Sequence, residues 1–125
     1  MPTLLAVAAG GALGAMARYL LVAQVAVWAG RGFPWGTLSV NVLGSALIGV
    51  LWVIVSRNAA AGALHHFAIV GFLGAFTTFS AFSLELLVML EAGRLVQAVS
   101  YVLGSVLTCL LGTFLGVSVA RALTA

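Results

Sequence analysis

Gly71-Phe72-Leu73-Gly74-Ala75-Phe76-Thr77-Thr78-Phe79-Ser80-Ala81-Phe82-Ser83-Leu84-Glu85 is the stretch on which the fold turns. It is apolar enough to lie in a bilayer, yet its two glycines and the Thr-Thr pair make poor helix interior. Five of the chain's seven phenylalanines lie between residues 67 and 82, so the segment is also the aromatic centre of the chain. Non-helical backbone at membrane depth survives only where it is buried in protein or lines a cavity. The stretch therefore predicts a helix broken near its middle, around 74–78, whose freed carbonyls would suit a small hard cation such as sodium. On the resumed helix, Phe79, Phe82, Ser83 and Leu86 fall within one stripe of roughly 100°. Rings and a hydroxyl thus share a face.

The surrounding composition sets the solvent. Of 125 residues, 64% are hydrophobic and 6% charged, with a mean hydropathy of +1.28, whereas about a quarter of a soluble domain is charged. Soluble-enzyme readings fall on that difference. The full charges are Arg18, Arg31, Arg57, Arg94, Arg121, Glu85 and Glu91, without lysine or aspartate. At roughly 20 residues per crossing, the length allows four helices and short loops. Three interruptions, each with glycine and arginine, mark the turns: Gly30-Arg31-Gly32-Phe33-Pro34, Ser56-Arg57-Asn58 through Gly62, and Glu91-Ala92-Gly93-Arg94. They predict an all-α membrane protein, one four-helix transmembrane domain over residues 1–125, with helices near 3–29, 35–55, 65–90 and 95–122. Trp28 and Trp35 flank the first turn, where indoles favour the headgroup level.

The same census removes other classes. A pI near 10 would fit nucleic acid only with arginines clustered on a solvent-facing patch, and these are scattered singly, so no nucleic-acid partner is expected. Cys109 is the only cysteine, which excludes an intrachain disulfide or a cysteine-rich metal site. The amino terminus lacks a basic n-region and Arg18 interrupts the first apolar run, so that run reads as a permanent helix rather than a cleaved signal.

Loops alternate sides in a four-helix chain, and the arginine count comes out balanced: Arg31 and Arg94 on one side, Arg57 and Arg121 on the other. Without a positive-inside bias, insertion in both orientations and an antiparallel homodimer become plausible; the alternative is that the amino terminus or the insertion machinery fixes one orientation. Gly10-xxx-Gly14, and Gly104, Thr108, Gly112 and Gly116, form small-residue ridges of the kind that let helices approach closely. They read as packing signals first.

Few polar residues lie within the spans. A charge at the bilayer centre costs about 2.5–3.5 kcal/mol on insertion scales, so each needs a partner, water or a role. Arg18 either snorkels or draws anions to a vestibule. Asn41 shares a helix face with Thr37, Gly44 and Ser45 and either joins two helices or meets an ion pathway. The phenylalanine stripe is either core or a route for an anion, since ring edges are partly positive and the interleaved hydroxyls donate. Such a route would compensate dehydration of a small anion without trapping it on a fixed cation. His65 and His66, adjacent and about 100° apart on a helix, read as interfacial solvation rather than a shared metal site.

Three segments in order resemble a known family: Gly10-Gly11-Ala12-Leu13-Gly14-Ala15 leading to Arg18-Tyr19; Gly36-Thr37-Leu38-Ser39-Val40-Asn41 with Gly44; and Gly71-Phe72-Leu73-Gly74 continuing through Thr77-Thr78-Phe79-Ser80-Ala81-Phe82-Ser83 to Glu85. The chain resembles the Fluc fluoride channels of the CrcB family over essentially its whole length. The resemblance implies an antiparallel, dual-topology homodimer in the cell (inner) membrane, with two pores that let fluoride leave the cell passively. By the same resemblance Phe79 and Phe82 are the ring positions of the pore, Asn41 is the pathway asparagine, and Ser80 and Ser83 belong to a hydroxyl track. Tyr101 and Ser105 match pore-facing positions on the last helix, and Glu85 and Arg18 match vestibule positions. The backbone carbonyls of Gly74 and Thr77 match those that hold a central structural sodium ion. Two departures stand out: Ala81 replaces the second threonine of a Thr-Thr-Phe-Ser-Thr-Phe pattern, and Cys109 stands where a hydroxyl is expected.

Two other classes compete. A proton-coupled exporter of the small multidrug-resistance type is also small and dually inserted, but it needs a carboxylate on the first helix, which here holds only Arg18. A non-transporting membrane subunit would explain the glycine ridges and leave the Gly-Thr-Thr segment without a reason. No catalytic residues are expected in any of these readings.

Overall fold

The computed structural model describes all 125 residues and is helical throughout, with no strand. The elements in chain order are α1 (Pro2–Ala29), α2 (Trp35–Ser56), α3 (Gly62–Leu64), a π-helical stretch (His65–Leu73), α4 (Gly74–Phe76), α5 (Phe79–Glu91) and α6 (Leu95–Leu123). They make four spans, Pro2–Ala29, Trp35–Ser56, Gly62–Glu91 and Leu95–Leu123, each long and apolar enough to cross a bilayer. The protein is a multi-pass membrane protein. The third span starts at Gly62 rather than near residue 65, because the turn after Arg57 is shorter than its alanines imply.

Local chemistry accounts for the ends. Pro2 opens α1, where its missing N–H costs nothing. Gly30 and Gly93 take positive φ of 78° and 73°, which lets the chain reverse after α1 and α5. Arg94 then ties two loops at one end of the bundle by donating to the Gly32 carbonyl (3.3 Å) and to Gln97 Oε1 (3.0 Å). At the opposite end Arg57 donates to the Thr124 carbonyl, beside the last turn of α6.

Two helix pairs form the scaffold, both by backbone approach. On α1, a Cβ built at Gly10 would lie 2.1 Å from the Phe67 carbonyl oxygen, and one at Gly14 would lie 2.1 Å from that of Phe72. The π-helical stretch is what α1 meets there, and its wider turns present these carbonyls toward the glycine ridge. Between α2 and α6, Gly49 faces the Thr113 carbonyl and Gly116 the Ala46 carbonyl, at 2.3 and 2.2 Å from a built Cβ. Thr113 Oγ1 adds a hydrogen bond to the Ser45 carbonyl, 3.0 Å. In lipid, where apolar surfaces gain little by meeting, such contact and interhelical hydrogen bonding drive association. Gly104, at the other end of the ridge on α6, has nothing within 4 Å of a built Cβ, and Thr108 beside it bonds only to its own helix.

The core is thin. Only 20 of the 125 residues are buried, so most of the apolar surface of one chain faces outward. One small cluster joins Val40, Leu73 and Phe76 where α2 meets the first half of the third span. A second joins Phe82, Met89, Ala98 and Tyr101 where α5 meets α6. Between the two clusters lies the non-helical pair Thr77–Thr78.

Candidate functional site

Thr77 (φ −83°, ψ 156°) and Thr78 (φ −149°, ψ 122°) are both extended. Their side chains close the helix ends they separate. Thr77 Oγ1 and Thr77 N–H both donate to the Leu73 carbonyl, at 2.9 and 3.0 Å. Thr78 is the N-cap of α5, its hydroxyl oxygen accepting from the Ala81 N–H at 3.1 Å. The backbone of Thr78 is met by Asn41: Thr78 N–H donates to Asn41 Oδ1 (2.8 Å), and Asn41 Nδ2 donates to the Thr78 carbonyl (3.0 Å). An amide side chain thus pairs with an extended residue much as a neighbouring strand would. Thr78 is 8% exposed, and a buried unpaired N–H at this depth would cost several kcal/mol. Gly44, one turn beyond Asn41, leaves room for the adjacent threonine: a Cβ there would lie 2.2 Å from Thr77 Cγ2.

Two grooves meet at Thr78. The smaller, about 370 Å³, is lined by Asn41, Gly44, Ser45, Leu73, Gly74, Thr77, Thr78, Phe79, Phe82, Ser105 and Cys109, with Ile48, Ile69 and Val106. No charged side chain borders it. The Phe79 and Phe82 rings stand 5.4 Å apart, tilted at 43°. The Ser105 hydroxyl is buried and has no hydrogen-bond partner within the chain. A buried unpaired polar group costs roughly 1–3 kcal/mol and persists where a guest or water completes it.

The larger groove, about 1160 Å³, runs between α1, α2 and α5 and opens toward the first and third loops. Arg18, Arg31 and Arg94 border it together with Thr37, Thr78, Ser80 and Glu85. Ser80 Oγ and Thr78 Oγ1 lie 3.3 Å apart. Glu85 is held from two helices: Thr37 Oγ1 of α2 donates to Oε1 at 2.5 Å, and Tyr101 OH of α6 donates to Oε2 at 2.6 Å. Both donors are nearly inaccessible, at 3% and 1% exposure. Charge-assisted bonds to a carboxylate are short and strong, so Glu85 pins α5 to its neighbours.

The sequence-derived positions therefore divide. Asn41, Phe79, Phe82, Ser105, Gly74 and Thr77 come together around the uncharged groove. Arg18, Ser80 and Glu85 line the other. Ser83 is exposed and turns its hydroxyl back onto the Phe79 carbonyl of its own helix, 2.9 Å. Tyr101 borders neither groove; its hydroxyl bonds Glu85 and its ring stands 4.9 Å from Phe82. Sequence reading had no role for Thr37 beyond a shared face, nor for the backbone of Thr78. The available signal was the stripe Thr37, Asn41, Gly44 at i, i+4, i+7, whose members meet Glu85, Thr78 and Thr77 respectively.

Comparison with known proteins gives the family. Residues 5–117 match the family described as "CrcB-like protein, Camphor Resistance (CrcB)". A protein of Magnetococcus marinus named "Fluoride-specific ion channel FluC" is 51% identical over 116 residues, covering 92% of this chain and 94% of its own. Proteins of the same name from Hahella chejuensis and Geobacter sulfurreducens are each 48% identical, over 97% and 98% of this chain and 96% and 100% of theirs. With a family match over residues 5–117 and similarity at this level over nearly the whole chain, the chain belongs to the CrcB family.

Proposed function

We propose that the protein is a fluoride-selective channel through which fluoride leaves the cell passively; it is not an enzyme. The observation that carries this is the uncharged groove lined by Asn41, the Phe79–Phe82 pair and Ser105, whose buried hydroxyl has no partner within the chain. A small anion gives up hydration only where close donors replace it. Ser105 supplies an O–H, Asn41 supplies the Nδ2 hydrogen not used on Thr78, and the rings supply partly positive edges. No cation borders this groove to hold the ion back. Thr78 lines both grooves, so the hydroxyls of Thr78 and Ser80 continue the donor route toward Arg18, whose charge raises the local anion concentration. The first helix carries no carboxylate, which leaves the proton-coupled exporter without its coupling group.

The working unit in this reading is an antiparallel, dual-topology homodimer with two pores. Its support is the balanced arginine count and Phe79, which is 79% exposed on the single chain although it borders the groove. A second copy would close that side. The third helix, broken at Thr77–Thr78, would hold a structural sodium ion through the carbonyls of Gly74 and Thr77. The donor set fits a hard cation: the Thr78 N–H that would bond the Gly74 carbonyl in a continuous helix goes to Asn41 instead. Bound there, sodium would supply positive charge that ties two copies together; Gly74 and Thr77 orient the carbonyls.

Reconstitution into liposomes with a fluoride electrode tests the reading. Rapid fluoride efflux with negligible chloride efflux is expected, and equal chloride leakage would end the selectivity argument.

A further inference from the structure

We infer that Asn41 is a positioning residue that keeps the third span open. Its side-chain amide captures the N–H and C=O of Thr78 and so prevents Thr78 N–H from returning to the Gly74 carbonyl. In an uninterrupted α-helix each N–H bonds the carbonyl four residues back, so residue 78 belongs to residue 74. Here Thr78 N–H lies 2.8 Å from Asn41 Oδ1, and Asn41 Nδ2 lies 3.0 Å from the Thr78 carbonyl. An amide is the side chain that offers a donor and an acceptor side by side, and both are used on one residue.

The rest of the packing leaves this task to α2. The first half of the third span is seated on α1 by backbone contact, and α2 is seated on α6 through Gly49 and Gly116. By contrast, α5 is tied to α2 at two polar points: the Thr78 backbone at its N-cap, and Glu85 about two turns on. Without the Asn41 amide the lowest-energy partner for Thr78 N–H is the Gly74 carbonyl. Restoring that bond returns residues 77 and 78 to helical angles, turns Phe79 and Phe82 about the helix axis, and takes the Gly74 carbonyl out of the groove.

This rests on the proposed channel reading only for its functional consequence, and the experiment keeps the two apart. The full-length protein in lipid nanodiscs, labelled at threonine with carbon-13 and nitrogen-15, reports backbone angles through the Cα and Cβ shifts of Thr77 and Thr78. The native chain should give the extended signature at both. Asn41→Leu, close in size and without polar atoms, should move both threonines to the helical signature. Asn41→Asp keeps an oxygen for Thr78 N–H and should retain the extended signature at Thr78, while its charge lowers fluoride efflux by at least tenfold. Extended shifts at both threonines in Asn41→Leu would overturn the inference. Should that variant not fold, Asn41→Ala decides in its place, since it too lacks both amide atoms: helical shifts at Thr78 support the inference and extended shifts overturn it. Helical shifts in Asn41→Leu with undiminished fluoride efflux would uphold the positioning role and count against the pathway assigned to the uncharged groove, whereas a native chain that passes no fluoride would count against the channel reading alone.

Discussion

The two halves of the third span are held by different physics. Residues 62–76 press directly on α1, backbone against glycine, with no side-chain hydrogen bond between the two. Residues 79–91 touch their neighbours through few, specific links: Asn41 at the entrance, Thr37 and Tyr101 on Glu85, and the Phe82–Tyr101 ring contact. A steric seat admits one fit, whereas polar links fix direction and leave free volume beside them. That free volume is where the grooves lie. The comparison teaches that the sterically seated half backs a groove whose rings come from the other half, and it can be tested from both sides.

The largest effect should come from the steric seat. Gly14→Val places a branched side chain into the Phe72 carbonyl; overpacking alone costs about 1–3 kcal/mol and backbone cannot yield here, so loss of folded protein in size-exclusion chromatography is expected. Phe82→Ala comes next. This ring is 8% exposed in the α5–α6 cluster, and its removal should cost about 3–5 kcal/mol, read as a lowered Tm in detergent. On the polar side, Tyr101→Phe or Thr37→Val each removes one donor to Glu85, and each should cost about 1.5–3 kcal/mol. The double variant should cost less than the sum, since the two share one acceptor group; strict additivity would mean that Glu85 does not link them. The smallest stability effect belongs to Phe79→Ile. That ring is 79% exposed, so Tm should move little while fluoride efflux slows severely. A large Tm loss there would erase the contrast between the structural face and the face proposed to conduct.

Hydropathy and turn chemistry made the four spans readable, because a membrane helix announces itself by length and by arginine-glycine punctuation. The partners of individual residues were less accessible. Gly112 and Gly116 meet α2 while Gly104, in the same ridge, meets nothing, since periodicity gives a face and not its neighbour. Ser83 shares a stripe with Phe79 and Phe82, yet its hydroxyl satisfies its own helix, an alternative open to any serine four residues after a carbonyl. Asn41 was legible as a residue in need of a partner. That its partner is the backbone of Thr78 depends on the vertical register between α2 and the third span, which no pattern within one helix encodes.

The wide turns of His65–Leu73 carry a consequence for reading related chains. An α-helix advances about 100° per residue, but a helix bonded i to i+5 advances less, so those nine residues act as a phase shifter within a single crossing. A helical wheel drawn through Gly62–Glu91 at one constant angle assigns the residues before His65 and those after Leu73 to incompatible frames. A relative that is one residue shorter here should close to the ordinary pitch and rotate its amino-terminal flank, so its alignment gap belongs inside the membrane and not in the loops.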